Sequence, residues 1–228
     1  MKKTAIFWSG GKDSALALSK LMDDTEHEVK YLITTIHQST GRVSMHGVRK
    51  ELILQQADAL GIPLVFMVLR EHADSHDEYE DTFKALLKKL KEDEGIEVIA
   101  FGDIFLEDLK IYRENLMKSS GLEVVFPIWG EDTKLLLWKF SELDFSAIVC
   151  ASSADFEDLT GERLNSGFIN ILPEGVDPCG ENGEFHSFVY DGPIFKHAVK
   201  FKKGERILKH YTMGDTQKGF YFLDLLPE

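Results

Sequence analysis

The sequence predicts an α/β fold: a parallel, doubly wound sheet over residues 1–150, then a smaller β-rich α+β region over 151–228. Three observations predict it. Up to about residue 150, short apolar runs of β-type residues alternate with segments of helical spacing, as βαβ units do. Two of the helical segments stop at glycines, Gly61 and Gly121, which suit a left-handed helix end. Beyond residue 152 the alternation gives way to polar loops and then to mostly β-type runs.

In chain order, Ala5–Trp8 reads as a short buried strand, and the stretch from about Asp13 to Met22 as a helix. Tyr31–Ile36 is the second strand. The segment Val48–Leu60 carries helical apolar spacing through Val48, Leu52, Leu54 and Ala57, and Gly61 ends it. Pro63–Leu69 is the third strand. Tyr79–Leu90 follows as a charged amphipathic helix, with Glu78, Glu80 and Asp81 forming a solvated face. Val98–Phe101 is the fourth strand, Leu106–Ser119 a helix and Val124–Phe126 a short fifth strand. A helix over Thr133–Leu143 and an apolar strand over Phe145–Cys150 complete the first domain. The second has loops at Ser152–Asp155 and Thr160–Glu162, then β-type runs at Phe185–Tyr190, Ala198–Lys202, Ile207–Met213 and Tyr221–Leu225. In open parallel sheets, ligands bind beyond the carboxyl ends of the strands.

Composition narrows the function classes. The net charge is −13, with 26 basic against 39 acidic residues, which argues against a polynucleotide substrate, since phosphate neutralisation needs a basic surface. Cys150 and Cys179 form no C-x-x-C pair and read as reduced thiols. No apolar run approaches a membrane span, and the first apolar stretch stops at Ser9, too early for a signal peptide. The expectation is a cytoplasmic protein; its oligomeric state, including a homo-oligomer, is left open.

Ser9-Gly10-Gly11-Lys12-Asp13-Ser14 follows the first strand and opens the first helix. Adjacent glycines let the backbone turn sharply and approach a ligand with no Cβ in the way. The N-terminal amides of the helix then face an anion. Lys12 adds a charge, and the Ser9 and Ser14 hydroxyls can donate to phosphate oxygens. It is not a Walker A loop, because Asp13 follows the lysine and Ile6 stands where that pattern has glycine. The segment resembles the signature of the PP-loop, or adenine-nucleotide alpha-hydrolase-like, superfamily. That resemblance implies a five-stranded parallel sheet and a cradle for the β- and γ-phosphates of ATP, which leave as pyrophosphate while AMP is transferred. It also implies that Asp13 helps hold Mg²⁺ and that Lys12 neutralises the leaving pyrophosphate.

A second segment, Cys179-Gly180-Glu181-Asn182-Gly183-Glu184-Phe185-His186-Ser187, is dense in chemically capable residues. In a strand starting at Glu184, Glu184 and His186 share a face, as an acid/base pair or as a plain hydrogen-bonded pair. With Ser9–Ser14 upstream, the stretch Gly180–Ser187 makes the chain resemble the diphthine–ammonia ligase family over about residues 4–195. The resemblance implies adenylation of a carboxylate, that of diphthine on elongation factor 2, and displacement of AMP by ammonia. Glu181, Glu184 and His186 would line the acceptor or ammonia site. The sequence departs from that family's pattern at Gly102-Asp103-Ile104-Phe105-Leu106 and Tyr112-Arg113-Glu114-Asn115. The resemblance therefore speaks to the nucleotide chemistry more than to the acceptor, which is either a protein side chain or a small molecule. Gly102 and Asp103, at the end of the fourth strand, are expected to touch nucleotide, metal or acceptor.

Weaker candidates are His46 and Arg49 in the loop after the second strand, Trp129 as packing, the His72/His76 pair at metal-ligand spacing, and Cys179, read as a spectator. Two other functions fit the phosphate loop: a PP-loop ligase that modifies tRNA, disfavoured by the negative charge, and a sensor that holds adenine nucleotide without turnover. The latter has little need of Glu181, Glu184 and His186.

Overall fold

A computed structural model describes residues 1–70, 76–213 and 216–228; His72 lies outside the described residues. The first sheet holds β1 (Lys2–Phe7), β2 (His27–His37), β3 (Arg42–Val43), β4 (Leu64–Leu69), β5 (Val98–Ala100) and β6 (Glu123–Val125). Five of these run parallel in the order β4-β2-β1-β5-β6, and the two-residue β3 pairs antiparallel with the end of β2. The expected five parallel strands are present, with β3 added.

Side-chain alternation along these strands divides the core in two. Ile6, Leu32 and Ala100 point to one face, against α1 (Lys12–Asp23), α2 (Lys50–Leu60) and α5 (Thr133–Glu142). Their neighbours Ala5, Ile33 and Ile99 point to the other, against α3 (His76–Glu94) and α4 (Glu107–Met117). The helices thus wrap both faces, as the βα alternation predicts.

The second sheet corrects one element. The strand over 145–150, expected to finish the parallel set, is β7 (Ser146–Ser153), the centre of an antiparallel sheet. Along one edge it pairs with β9 (Phe185–Asp191). Along the other it pairs with β8 (Arg163–Leu164) at Ala147 and Ile148, and with β11 (Thr216–Pro227) at Ala151 to Ser153. An apolar strand buried on both faces reads alike in parallel and antiparallel company. The runs at Ala198–Lys202 and Ile207–Met213 also merge: β10 (Phe201–Met213) is one strand, with its register shift against β11 between Lys203 and Arg206, around Gly204.

The two sheets meet at the phosphate loop. Val189 of β9 donates its amide to the Gly10 carbonyl at 2.8 Å. Gln56 of α2, fully buried, donates to the carbonyls of Gly10 (3.0 Å) and Val189 (2.6 Å), and accepts from Trp8 Nε1 at 2.8 Å.

Candidate active site

The order β4-β2-β1-β5-β6 reverses between β1 and β5, and the loops leaving these two strands flank the position where open α/β sheets bind ligands. Ser9–Gly11 leaves β1, and Gly11 is the N-cap of α1 with no side chain capping it, so the helix start is left to backbone amides. Ser9 Oγ accepts from the Gly11 amide (3.2 Å), and Ser14 Oγ donates to the Gly11 carbonyl (2.8 Å), which holds the loop in shape. A methyl group at Gly11 would stand 2.8 Å from His46 Cε1 and 3.0 Å from the Ser187 carbonyl oxygen. From the other loop, Gly102 lies backbone to backbone against α1; a Cβ there would be 3.1 Å from the Ser14 nitrogen.

Lys12 is 2% exposed. Its Nζ pairs with Asp13 Oδ2 at 2.9 Å, donates to the Cys179 carbonyl and lies 5.1 Å from the centre of the Phe185 ring. Its backbone amide donates to Ser187 Oγ at 3.1 Å. The second segment thus clamps the first: Cys179 and Ser187 both bind Lys12. Burial works against the ammonium charge, but Asp13, helped by the Cys179 and Glu181 side, outweighs it and raises the lysine pKa. Burial pushes the Asp13 carboxyl upward, with Lys12 pulling against it.

Three more charged groups border the cleft. Asp103 is paired with Arg113 of α4, Nε to Oδ2 at 2.6 Å, and the guanidinium carbon sits 4.3 Å above the centre of the Phe101 ring. Glu181 Oε1 accepts from the Ile104 amide at 2.8 Å, and burial lifts its carboxyl to about 7, with Asp13 and Asp103 adding to the rise. The rings of His46 and His186 stand 4.7 Å apart. Burial holds both neutral, His46 at about 4 and His186 well below the ordinary histidine value. These groups enclose a cleft of about 330 Å³ lined from Trp8 through Asp13, Ile33 and His46 to Tyr79, Arg113 and His186, within the usual range of ligand sites.

Of the residues singled out in the sequence, Ser9, Lys12, Asp13, Ser14, Gly102, Asp103, Glu181 and His186 line this cleft, as do His46 and Cys179; Gly10 packs against Gln56 and Ile53, and Gly11 against His46 and Ser187. Glu184 does not line it. The strand begins one residue later than expected, at Phe185, so Glu184 falls in the preceding loop. There its Oε1 accepts from the Asp177 amide (3.0 Å) and from Asn182 (3.1 Å), fixing the turn that presents Glu181. Arg49 turns away to Asp224 at 2.7 Å. Trp129 packs on Phe126 with centroids 5.9 Å apart, as expected of a packing residue. The buried Cys179 thiol, raised in pKa by burial, lies 3.4 Å from the Thr133 carbonyl. Sequence reasoning passed over Gln56 and gave Arg113, Tyr79 and Ser187 no role of their own. Gln56 leaves a signal in hindsight, being an amide on the apolar stripe four residues after Leu52.

Asp13 Oδ1 is buried with no hydrogen-bond partner. A lone hard oxygen beside an anion cradle suits a divalent cation that takes its other ligands from phosphate. Among the described residues no group of three or more His, Cys, Asp or Glu could hold a metal by itself.

The description "Diphthamide synthase N-terminal domain" matches residues 2–124, and "Diphthamide synthase C-terminal domain" matches residues 132–221. Diphthine–ammonia ligase of Rattus norvegicus is 27% identical over 90% of this chain and 85% of its own length. The human protein of that name is 29% identical, covering 67% and 62%. That of Saccharomyces cerevisiae is 22% identical over the whole chain and 40% of its own length. With both domain descriptions matched in order and a clamped PP-loop between the two sheets, the chain belongs to the diphthamide synthase family of ligases.

Proposed function

We propose that the protein activates an acceptor carboxylate with ATP and converts it to an amide with ammonia, as a diphthine–ammonia ligase does. The observation that carries this reading is the buried Lys12–Asp13 pair at the sheet's switch point, clamped by Cys179 and Ser187 of the second segment. A loop that merely held a nucleotide would not require a second domain to grip its lysine. The first sheet and its helices supply the nucleotide side, and the second sheet, from β7 onward, the acceptor side.

In the first step a carboxylate oxygen attacks the α-phosphorus, the α–β bond breaks, and pyrophosphate leaves. The loop Ser9–Ser14 and the helix start hold the departing phosphates, and Lys12 meets the charge that develops on them. Asp13 would hold Mg²⁺, which would supply positive charge to offset that of the phosphates. Gly102 permits the close approach of the β5 loop, and Asp103, fixed by Arg113, orients the reacting groups. In the second step ammonia attacks the acyl carbon and AMP leaves. Glu181, half ionised near neutrality, takes the proton from ammonium, and neutral His186 borders the same space. Glu184 acts through the loop it braces. The acceptor is a protein carboxylate such as diphthine on elongation factor 2, the nitrogen source is free ammonium, and the reaction belongs to the cytoplasm.

The test is to incubate the protein with ATP, Mg²⁺, ammonium and diphthine-bearing elongation factor 2 and to measure AMP and pyrophosphate. Acceptor-dependent AMP that disappears in Lys12→Ala supports the ligase. Tight ATP binding with no turnover supports a sensor, and pyrophosphate release stimulated by tRNA would move the protein to the tRNA-modifying ligases.

A further inference from the structure

A second cavity, of about 580 Å³, shares Val43, Ser44 and Met45 with the nucleotide cleft, so the two meet at this segment. Its other wall is one face of the β10–β11 hairpin. A strand turns alternate residues to one side, and Ile207, Lys209 and Tyr211 line the cavity together with Phe220 and Phe222. Tyr211 stands edge-on to both phenylalanines, with centroids 6.2 Å apart in each pair. Ile207 is 43% exposed, Tyr211 44% and Met45 55%, an apolar strip open to solvent.

The charge around this strip runs against that of the whole molecule. Arg42 and Arg49 converge on one carboxylate, Asp224, at 2.8 and 2.7 Å, leaving one guanidinium charge in excess. Lys209 has no carboxylate partner among the described residues and lies 5.7 Å from the centre of the Phe222 ring. From Lys196 to Lys209 the chain carries six lysines and arginines against the single carboxylate Glu205, but of these only Lys209 lines the groove, while Lys202 pairs with Glu228 and Arg206 with Glu157. In addition, β10 ends its sheet and pairs with β11 alone, so its outward backbone groups have no strand partner among the described residues.

We propose that this face docks an acidic polypeptide segment, laid as an added strand along the outer edge of β10 with an apolar side chain in the groove. It would hold the acceptor protein while the acceptor carboxylate reaches Lys12. That second role rests on the ligase reading above; the docking itself does not. The anionic character follows from Arg42, Arg49 and Lys209 facing one Asp224. The polypeptide character follows from the free strand edge, whose amides and carbonyls a polypeptide can pair together, whereas a phosphate backbone offers the carbonyls no donor. A polynucleotide would also need a longer basic track than one hairpin offers.

The probe is a fluorescein-labelled peptide of alternating Asp and Leu, titrated with the full chain and followed by anisotropy at low and high salt, without ATP. The same peptide with Lys for Asp and a short oligouridine are run beside it. Binding of the acidic peptide alone, weakened by salt and by about tenfold in Lys209→Glu or Tyr211→Ala, is the expected result. Both residues are exposed, thermal melting checks that the variants fold, and Lys88→Glu on α3 reverses a charge elsewhere and should change nothing. Equal binding to wild type and Lys209→Glu would overturn the proposal, as would binding of oligouridine in place of the acidic peptide. Self-association that Lys209→Glu abolishes, with no peptide binding, would assign the groove to a second copy and overturn it too. Because the readout needs no turnover, it stands apart from failure of the ligase reading.

Discussion

Replacing Gln56 with Met keeps its volume but removes the three hydrogen bonds by which α2 ties the phosphate loop to β9. The Gly10 carbonyl would keep one donor, the Val189 amide at 2.8 Å. The Trp8 indole N–H and the Val189 carbonyl would be left buried without a partner. Each such orphan costs about 1–3 kcal/mol, so Gln56→Met should destabilise the protein by about 2–6 kcal/mol. Because the same side chain positions Gly10, ATP affinity should fall in parallel. Urea denaturation, read as a shift of midpoint at constant slope, measures the first effect, and calorimetric titration with ATP and Mg²⁺ measures the second. A loss below about 1 kcal/mol with unchanged ATP affinity would refute the idea that Gln56 couples the two sheets.

Glu181 gives a pH signature. Its folded value of about 7 lies above the ordinary 4.5, so the folded state holds the proton more tightly, and the associated stability is present below 4.5 and lost as pH rises through 7. Glu181→Gln should flatten that decline in melting temperature and remove the neutral limb of the activity profile; an unchanged profile would exclude Glu181 as the proton acceptor. Gly11→Ala should abolish nucleotide binding, since its methyl group meets the Ser187 backbone at 3.0 Å, while strain limits the stability loss to about 1–3 kcal/mol. Arg113→Lys keeps the charge but loses the planar contact with Phe101, and turnover should fall while ATP affinity holds. Cys179→Ser should retain activity, because Lys12 is bound by the Cys179 backbone carbonyl and burial keeps the thiol protonated.

The sequence showed most clearly what is local. The phosphate loop could be read because strand, glycines, lysine and helix start are adjacent, and the same holds for the parallel strands, whose connecting helices lie between them. What escaped depends on contacts across the fold. β7 is an apolar run like its predecessors, and only its partners make it the centre of an antiparallel sheet. Arg113 reaches Asp103 from the next helix, and Ser187 reaches Lys12 across 175 residues of chain. Glu184 lies one residue ahead of β9, so it braces the loop before the strand instead of sharing a strand face with His186. Lys209 is one lysine among many in the sequence, and only the hairpin places it beside the groove that Arg42 also lines.

The most direct measurement follows oxygen atoms. With a heavy-oxygen label in the acceptor carboxylate, turnover in the presence of ATP, Mg²⁺ and ammonium should transfer one labelled oxygen into AMP and leave pyrophosphate unlabelled. Label in inorganic phosphate with ADP as the other product, or unlabelled AMP, would contradict adenylation at Lys12 and Asp13.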